Sequence, residues 1–186
     1  GRLTRLKGHQ IFLDAIATLN KQKPIRCLIV GDELGKEHYL HELQALILKL
    51  KLTGKVQFTG NCFDMPAIYA LADIVISASI KPESFGRTAC EAQAMGCIVI
   101  ATKHGGSIET LAPSQQQFMC EVKSSESMAS SIEKALACFE DDKEQSRIDI
   151  EHSSRKYIED NFSLDKMCHD TIALYQELTS NKAGLP

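Results

Sequence analysis

This sequence predicts an α/β fold, a Rossmann-like doubly wound parallel sheet with a C-terminal helical extension, and three observations carry the prediction. Short apolar runs of strand length alternate with segments of helical period, the pattern of repeated β-α units. The runs are apolar on successive residues, which suits strands covered on both faces. After Val122 the strands stop, and three helical segments close the chain.

The chain opens with "GRLTRLKG", a loop that feeds the helical segment "HQIFLDAIATLN". No strand precedes that loop, although the first strand of a doubly wound sheet is usually central. Residues 1–186 are therefore expected to form one domain, a fragment of a longer protein. Strands are predicted at "IRCLIVG" (25–31), "KVQFTG" (55–60), "DIVISAS" (73–79), "CIVIAT" (97–102) and "QFMCEV" (117–122). They are short, β-branched and mostly bounded by Gly or polar residues. Between them "EHYLHELQALILKLKL", "MPAIYALA" and "GRTACEAQAM" place apolar residues at i, i+3, i+4 and i+7, the helical period. Asp64 ahead of Met65-Pro66 marks a helix start, because Pro in the first turn lacks only an N–H that would be unpaired anyway. From about residue 123 the chain is helical, over 127–140, 143–161 and 163–179. Ser163 is a suitable N-cap, with Phe162 packing over Met167 as a hydrophobic staple. The last of these segments is amphipathic, with Met167, Ile172, Leu174, Tyr175 and Leu178 apolar, and the tail "NKAGLP" is expected to be loose.

Composition excludes several classes. A length of 186 residues with 44% hydrophobic content supports a real core. The net charge of -3 argues against a general nucleic-acid binder, which would carry a basic face. No apolar run approaches the roughly 20 residues that span a bilayer, and the N-terminal residues show no signal-peptide pattern. The seven cysteines are scattered without a CxxC pair, which suits buried, reduced thiols of a cytosolic protein rather than a disulfide or zinc framework.

Ligands of doubly wound sheets bind at the carboxyl ends of the strands. Four glycine-bearing loops are expected there, over 1–8, 31–36, 79–87 and 103–107. In the third, Gly86 permits a tight turn before a helix starting near Arg87, and a helix N-terminus is an anion site. Arg2 and Lys7 add cations at the same edge. Glu83 and Glu91, eight positions apart, can be a catalytic acid/base pair, solvated surface charges, or hydroxyl binders beside a phosphate site. Carboxylates beside phosphate are otherwise repulsive, so their placement suggests a sugar nucleotide. The dinucleotide fingerprint G-x-G-x-x-G is absent, "VGDELGKEH" offering only G-x-x-x-G, and so is the Walker pattern. His38 and His41 lie at i, i+3 without an evident third ligand, which favours surface histidines over a metal site.

The E-x7-E pattern with an internal S-F-G, followed by "EAQAMGCIVIATKHGGSIE", closely resembles the group 1 glycosyltransferases, the large retaining family of GT-B fold. "GRLTRLKG" resembles that family's opening loop, here R-x4-K-G, and "NFSLDKMCHDTIALYQEL" its closing helix, so the resemblance covers essentially the whole chain. It implies the C-terminal, donor-binding half of a two-domain, hexosyltransferase-type enzyme. That enzyme would move a sugar from a nucleoside-diphosphate-sugar to an acceptor hydroxyl in cell-envelope or lipopolysaccharide synthesis. Arg2 and Lys7 match the cations that hold the diphosphate and stabilise the leaving phosphate. Glu83 matches the glutamate that contacts the transferred sugar, and Glu91 the one that holds the ribose hydroxyls. Ser84, Phe85, Gly86, Arg87 and Thr88 supply the backbone around sugar and phosphate, Arg87 standing where the family often has an aliphatic residue. Gly105 and Gly106 fit the family's glycine-glycine turn, with Glu109 behind it as a cap. Gly60 and Asn61 end a strand where the base would lie. No cofactor and no metal are implied, the donor being the substrate. The acceptor, a glycan or glycolipid, would bind through the missing N-terminal domain, leaving this half alone inactive. The expected location is the cytoplasm, with peripheral contact at the inner face of the membrane made only through the other half. Two alternatives stand beside this reading: a sugar-nucleotide epimerase of the same fold, and a non-catalytic nucleotide-sugar-binding or interaction module.

Overall fold

The computed structural model describes residues 1–19, 25–32, 35 and 37–182. Glu33, Leu34 and Lys36 of the second edge loop, Asn20 at the end of the first predicted helix, and the last four residues of the tail lie outside the described residues.

Helix α1 (His9–Leu19) buries Leu13, Ala15, Ile16 and Leu19, one apolar stripe at helical spacing. Strand β1 (Cys27–Val30) runs parallel to β2 (Val56–Gly60), with Cys27 opposite Val56 and Ile29 opposite Phe58. Helix α2 (Glu37–Lys49) joins them and buries Tyr39, Leu43 and Ile47, each one turn beyond the last. Helix α3 (Met65–Leu71) starts where its sequence predicts: the Ala67 N–H donates to Asp64 Oδ1 at 3.1 Å, and Pro66 sits in the first turn. Strand β3 (Ile74–Ser77) then pairs in parallel with β4 (Ile98–Ala101), from Ile74 opposite Ile98 to Ser77 opposite Ala101, across helix α4 (Arg87–Ala94).

All four residues of β4 are buried. Ile98 and Ile100 face a large core with Leu3, Leu13, Leu43, Leu52, Phe118 and Met128, while Val99 and Ala101 face a smaller one with Tyr69, Ala89, Ala92 and Leu111. Successive side chains point to opposite faces of a strand, so a strand between two helical layers is apolar throughout. The parallel pairs β1-β2 and β3-β4 form two separate ladders among the described residues.

The strand expected over 117–122 is largely absent. A short helix (α5, Ser107–Thr110) and a 3-10 turn over Pro113–Phe118 occupy this stretch, and only Cys120 bridges to Thr102. The reason lies in Gln115, whose fully buried amide does what a strand would have done. It accepts from the Val99 N–H at 2.5 Å and donates to the Cys97 carbonyl at 3.0 Å, satisfying the outer edge of β4.

Helices α6 (Ser125–Ala137), α7 (Glu144–Phe162) and α8 (Leu164–Lys182) follow, α6 packing on α1 and α7 on α4. Ser163 caps α8 through the Lys166 N–H at 3.3 Å. The staple does not form as expected: Phe162 packs edge-on against Phe85 and Tyr157, and Met167 is 59% exposed. The whole apolar set of α8, including Ile172, Leu174, Tyr175 and Leu178, stands in solvent. Asn181 and Lys182, expected in a loose tail, continue this helix. None of the cysteines is paired. Burial pushes the thiols of Cys27, Cys97 and Cys120 up to about 11, which keeps them inert, while Cys168 is exposed. No described helix is long and apolar enough to cross a membrane.

Candidate functional site

The loop over residues 1–8 crosses the carboxyl ends of the strands. The Leu3 N–H donates to the Asp32 carbonyl at 2.8 Å and the Ile80 N–H to the Leu6 carbonyl at 2.8 Å, so the loop is anchored beyond both β1 and β3. Gly8 closes it in the left-handed region (φ 71°), where an added Cβ would lie 2.0 Å from the Ala78 carbonyl oxygen. This pinning sets Lys7 against the loop that follows β3. Its Nζ donates to Glu83 Oε1 at 2.5 Å.

Glu83 is the most constrained carboxylate of the edge. The Ser79 hydroxyl also donates to its Oε1, and His104 donates through Nε2 to the Ser79 carbonyl at 2.8 Å. Burial alone pushes the Glu83 carboxyl up. The hydrogen bonds from Lys7 and Ser79, with the charges of Lys7 and His104, outweigh it and leave the group below its ordinary value.

Gly105 and Gly106 bring the loop after β4 onto the same place. The Gly106 N–H donates to the Glu83 carbonyl at 2.8 Å, and a Cβ on Gly106 would lie 2.7 Å from the Ser84 carbonyl oxygen. The glycine pair thus permits a backbone-to-backbone approach that seats the Glu83 loop. Glu109 does not cap α5; its side chain is exposed and makes no cap hydrogen bond, and its carbonyl accepts from the Tyr157 hydroxyl at 2.8 Å.

Helix α4 begins at Arg87 after Gly86, so its first-turn N–H groups, which no helix can pair internally, stand at this edge. Glu91, one turn inside, is held from both sides. The Tyr69 hydroxyl donates to Oε2 at 2.9 Å and Arg87 reaches Oε1 at 3.2 Å. Burial first, then the bond to Glu91, pushes the Tyr69 phenol well above its ordinary value, so it remains a donor. Arg87 is therefore an exposed partner of Glu91.

The structure thus brings together Lys7, Glu83, Ser84, Gly105 and Gly106 in one contact set, with Arg87, Thr88 and Glu91 on the adjoining helix. Phe85 contributes backbone here, while its ring turns to Phe162. Arg2 is exposed and makes no ion pair among the described residues. Gly60 and Asn61 sit at the end of β2, where the Gly31 N–H donates to the Gly60 carbonyl at 2.9 Å. Among the described residues no contact joins them to the glutamates. His38 pairs with Glu42 at 3.0 Å on the surface. Ser79, His104 and Tyr69 were missed from sequence. The available signals were a serine ending the "DIVISAS" run, a histidine beside the glycine pair, and a hydroxyl on the apolar face of "MPAIYALA".

This fold and edge define a class: a doubly wound α/β domain with cations, a helix start and two held carboxylates at the carboxyl ends of its strands. The family model described as glycosyl transferases group 1 matches residues 1–152, and the chain belongs to that family. A glycosyltransferase from Rickettsia africae superimposes with a TM-score of 0.88 at 35% identity, over 97% of this chain and 47% of that one. Anabaena HepE, in a structure with UDP and glucose, gives a TM-score of 0.77 at 28% identity, over 100% of this chain and 47% of that one. The D-inositol 3-phosphate glycosyltransferase of Jonesia denitrificans is 30% identical over 183 residues, covering 95% of this chain and 41% of the relative. The chain thus spans less than half the length of these proteins, and its fold is that of a GT-B C-terminal domain.

Proposed function

We infer that this chain is the donor-binding half of a retaining glycosyltransferase that moves a sugar from a nucleoside-diphosphate-sugar to an acceptor hydroxyl. One observation carries the reading: Lys7, from the opening loop, is bonded to Glu83, the first carboxylate of E-x7-E. Residues far apart in sequence and charged oppositely meet at the strand edge, beside the start of α4. A nucleoside diphosphate needs cations and free N–H groups for its phosphates and carboxylates for its hydroxyls. The UDP and UDP-glucose held by HepE support the same ligand class.

In this reading Lys7, Arg2 and the α4 N-terminus meet the charge that develops on the departing diphosphate, already oriented before the bond breaks. Glu83 orients the transferred sugar. Glu91, fixed by Tyr69 and Arg87, accepts from the ribose hydroxyls. Gly60 and Asn61 lie toward the base. The acceptor, a glycan or glycolipid of the cell envelope, binds to the other half of the full-length enzyme. No metal or cofactor enters the scheme.

Calorimetric titration with UDP, GDP and ADP, each repeated on Glu91→Ala, tests it. One diphosphate is expected to bind, and the substitution to weaken it by about 1–3 kcal/mol, the usual loss for a charged hydrogen-bond acceptor. Equal affinity of both chains for every diphosphate would remove Glu91 from the site.

A further inference from the structure

The loop that carries Glu83 is anchored unevenly. Lys7 and Ser79 hold the Glu83 side chain, and the Gly106 N–H holds its carbonyl. Ser84 and Phe85, the next two residues, are both exposed, and Gly86 after them takes a left-handed turn at φ 87°. An exposed stretch that ends in a left-handed glycine has little backbone restraint of its own. A ring supplies it instead. Phe85 meets Phe162 edge to face, with centroids 5.5 Å apart and planes at 77°.

Phe162 ends α7, and α7 is firmly seated. Its Ser154 and Ile158 are buried, and Ser154 Oγ accepts from the Gln115 amide at 2.8 Å. Tyr157 backs Phe162, also edge to face, at 5.7 Å and 68°, and its hydroxyl donates to the Glu109 carbonyl at 2.8 Å. Beyond Ser163 this support stops, for residues 164–180 are all exposed. Phe162 therefore stands where the packed part of the chain ends and the exposed helix begins.

The end of α7 thus reaches both loops of the candidate site. Phe162 touches the loop after β3 through Phe85. Tyr157 holds Glu109 of α5, the helix entered from Gly105 and Gly106. The same two loops press together through their backbones: a Cβ on Gly106 would lie 2.8 Å from both Cα and O of Phe85. At so close an approach, a displacement of Phe85 cannot be absorbed locally. It would disturb the bond from Gly106 to the Glu83 carbonyl, two residues away.

We propose that Phe162, backed by Tyr157, is a positioning residue of the candidate site, the fixed half of an aromatic clamp that keeps the Glu83 loop closed on Gly106. It acts through Phe85 and touches no ligand itself. The consequence for ligand rests on the donor-binding reading. A nucleoside-diphosphate-sugar binds more tightly when the backbone of Ser84 to Gly86 and the start of α4 are set in advance. One aromatic pair of this kind is worth a factor of roughly 2 to 10.

The intact protein is compared with Phe162→Ala and Phe162→Tyr. Hydrogen exchange of the Gly106 amide reports on the clamp. The Cys27 amide, bonded to the Lys55 carbonyl at 2.8 Å on the other ladder, reports on general stability. In Phe162→Ala the Gly106 amide is expected to exchange about tenfold faster relative to that of Cys27, and Phe162→Tyr, which keeps the ring, to restore the ratio. Calorimetric titration with UDP, GDP and ADP is expected to show binding about 3- to 10-fold weaker in Phe162→Ala, again restored by Phe162→Tyr. If Phe162→Ala does not fold, Phe162→Leu, which retains apolar volume without a ring, takes its place. Gly106 and Cys27 amides that change by the same factor, or not at all, overturn the clamp. Unchanged affinity in a variant whose Gly106 amide has loosened overturns its role in the site. An unsubstituted protein that binds none of the three diphosphates counts against the donor-binding reading instead, and the exchange ratio still decides whether Phe162 holds the loop.

Discussion

Glu83 gathers more of the candidate site than any other side chain. Lys7 and Ser79 both donate to one of its oxygens, and its own backbone carbonyl receives Gly106. With a folded value below the ordinary 4.5, its ionised form stabilises the fold fully above that pH, and the contribution is lost as pH falls through the folded value. Removing the cation while keeping the stem tests the balance. In Lys7→Met the burial that already pushes the carboxyl up meets less opposition, so the Glu83 value is expected to rise. An NMR titration of the Glu83 side chain that gave the same midpoint in both chains would show that Ser79 and His104 hold the carboxylate without Lys7. Residue types alone could nominate Lys7 and Glu83; that each is the other's partner needed the loop anchored at Leu3, Leu6 and Gly8.

At the scale of elements, the alternation of strands and helices was legible because its periods are local. The apolar stripes of α1 and α2, the Asp64 cap and the four-residue apolar strands follow from spacing along the chain. The stretch 117–122 misled for a physical reason. "QFMCEV" is a β-prone run, yet the edge of β4 that it was expected to pair with is met by the side chain of Gln115, which packs against Ser154 of α7 at 2.8 Å. Nothing local in "PSQQQF" distinguishes that glutamine from its two neighbours. Gln115→Leu is expected to cost about 2–4 kcal/mol of stability in urea unfolding, since the Val99 N–H and Cys97 carbonyl would be buried without partners. A loss under about 0.5 kcal/mol, the size of an ordinary surface change, would mean that these groups find other partners.

For the whole molecule, the distribution of apolar surface is the telling feature. The core around β4 is sealed, whereas β3 is only half-buried along its length and the apolar side chains of α8 are exposed. With the proposed donor site at one edge and uncovered apolar surface elsewhere, this domain is expected to bind a nucleoside diphosphate weakly and to transfer no sugar by itself. Incubation with a radiolabelled sugar nucleotide and a panel of glycan acceptors checks this. Product above the buffer control would overturn it and place the acceptor site within these residues. An alanine pair at Glu83 and Glu91 with undiminished diphosphate binding would instead favour an interaction module.

By itself the sequence determined the fold class, the order of the elements as far as β4 and the edge on which Lys7, Glu83, Glu91 and the glycine pair are found, because each rests on short-range spacing and on the chemistry of side chains a few residues apart. Tertiary structure alone decided who meets whom. It turned Phe85 toward Phe162, recruited Ser79, His104 and Tyr69, and left Arg2 unpaired among the described residues. Those outcomes depend on contacts between residues from 4 to 77 positions apart. Most are set by where the helices pack, which no local pattern encodes.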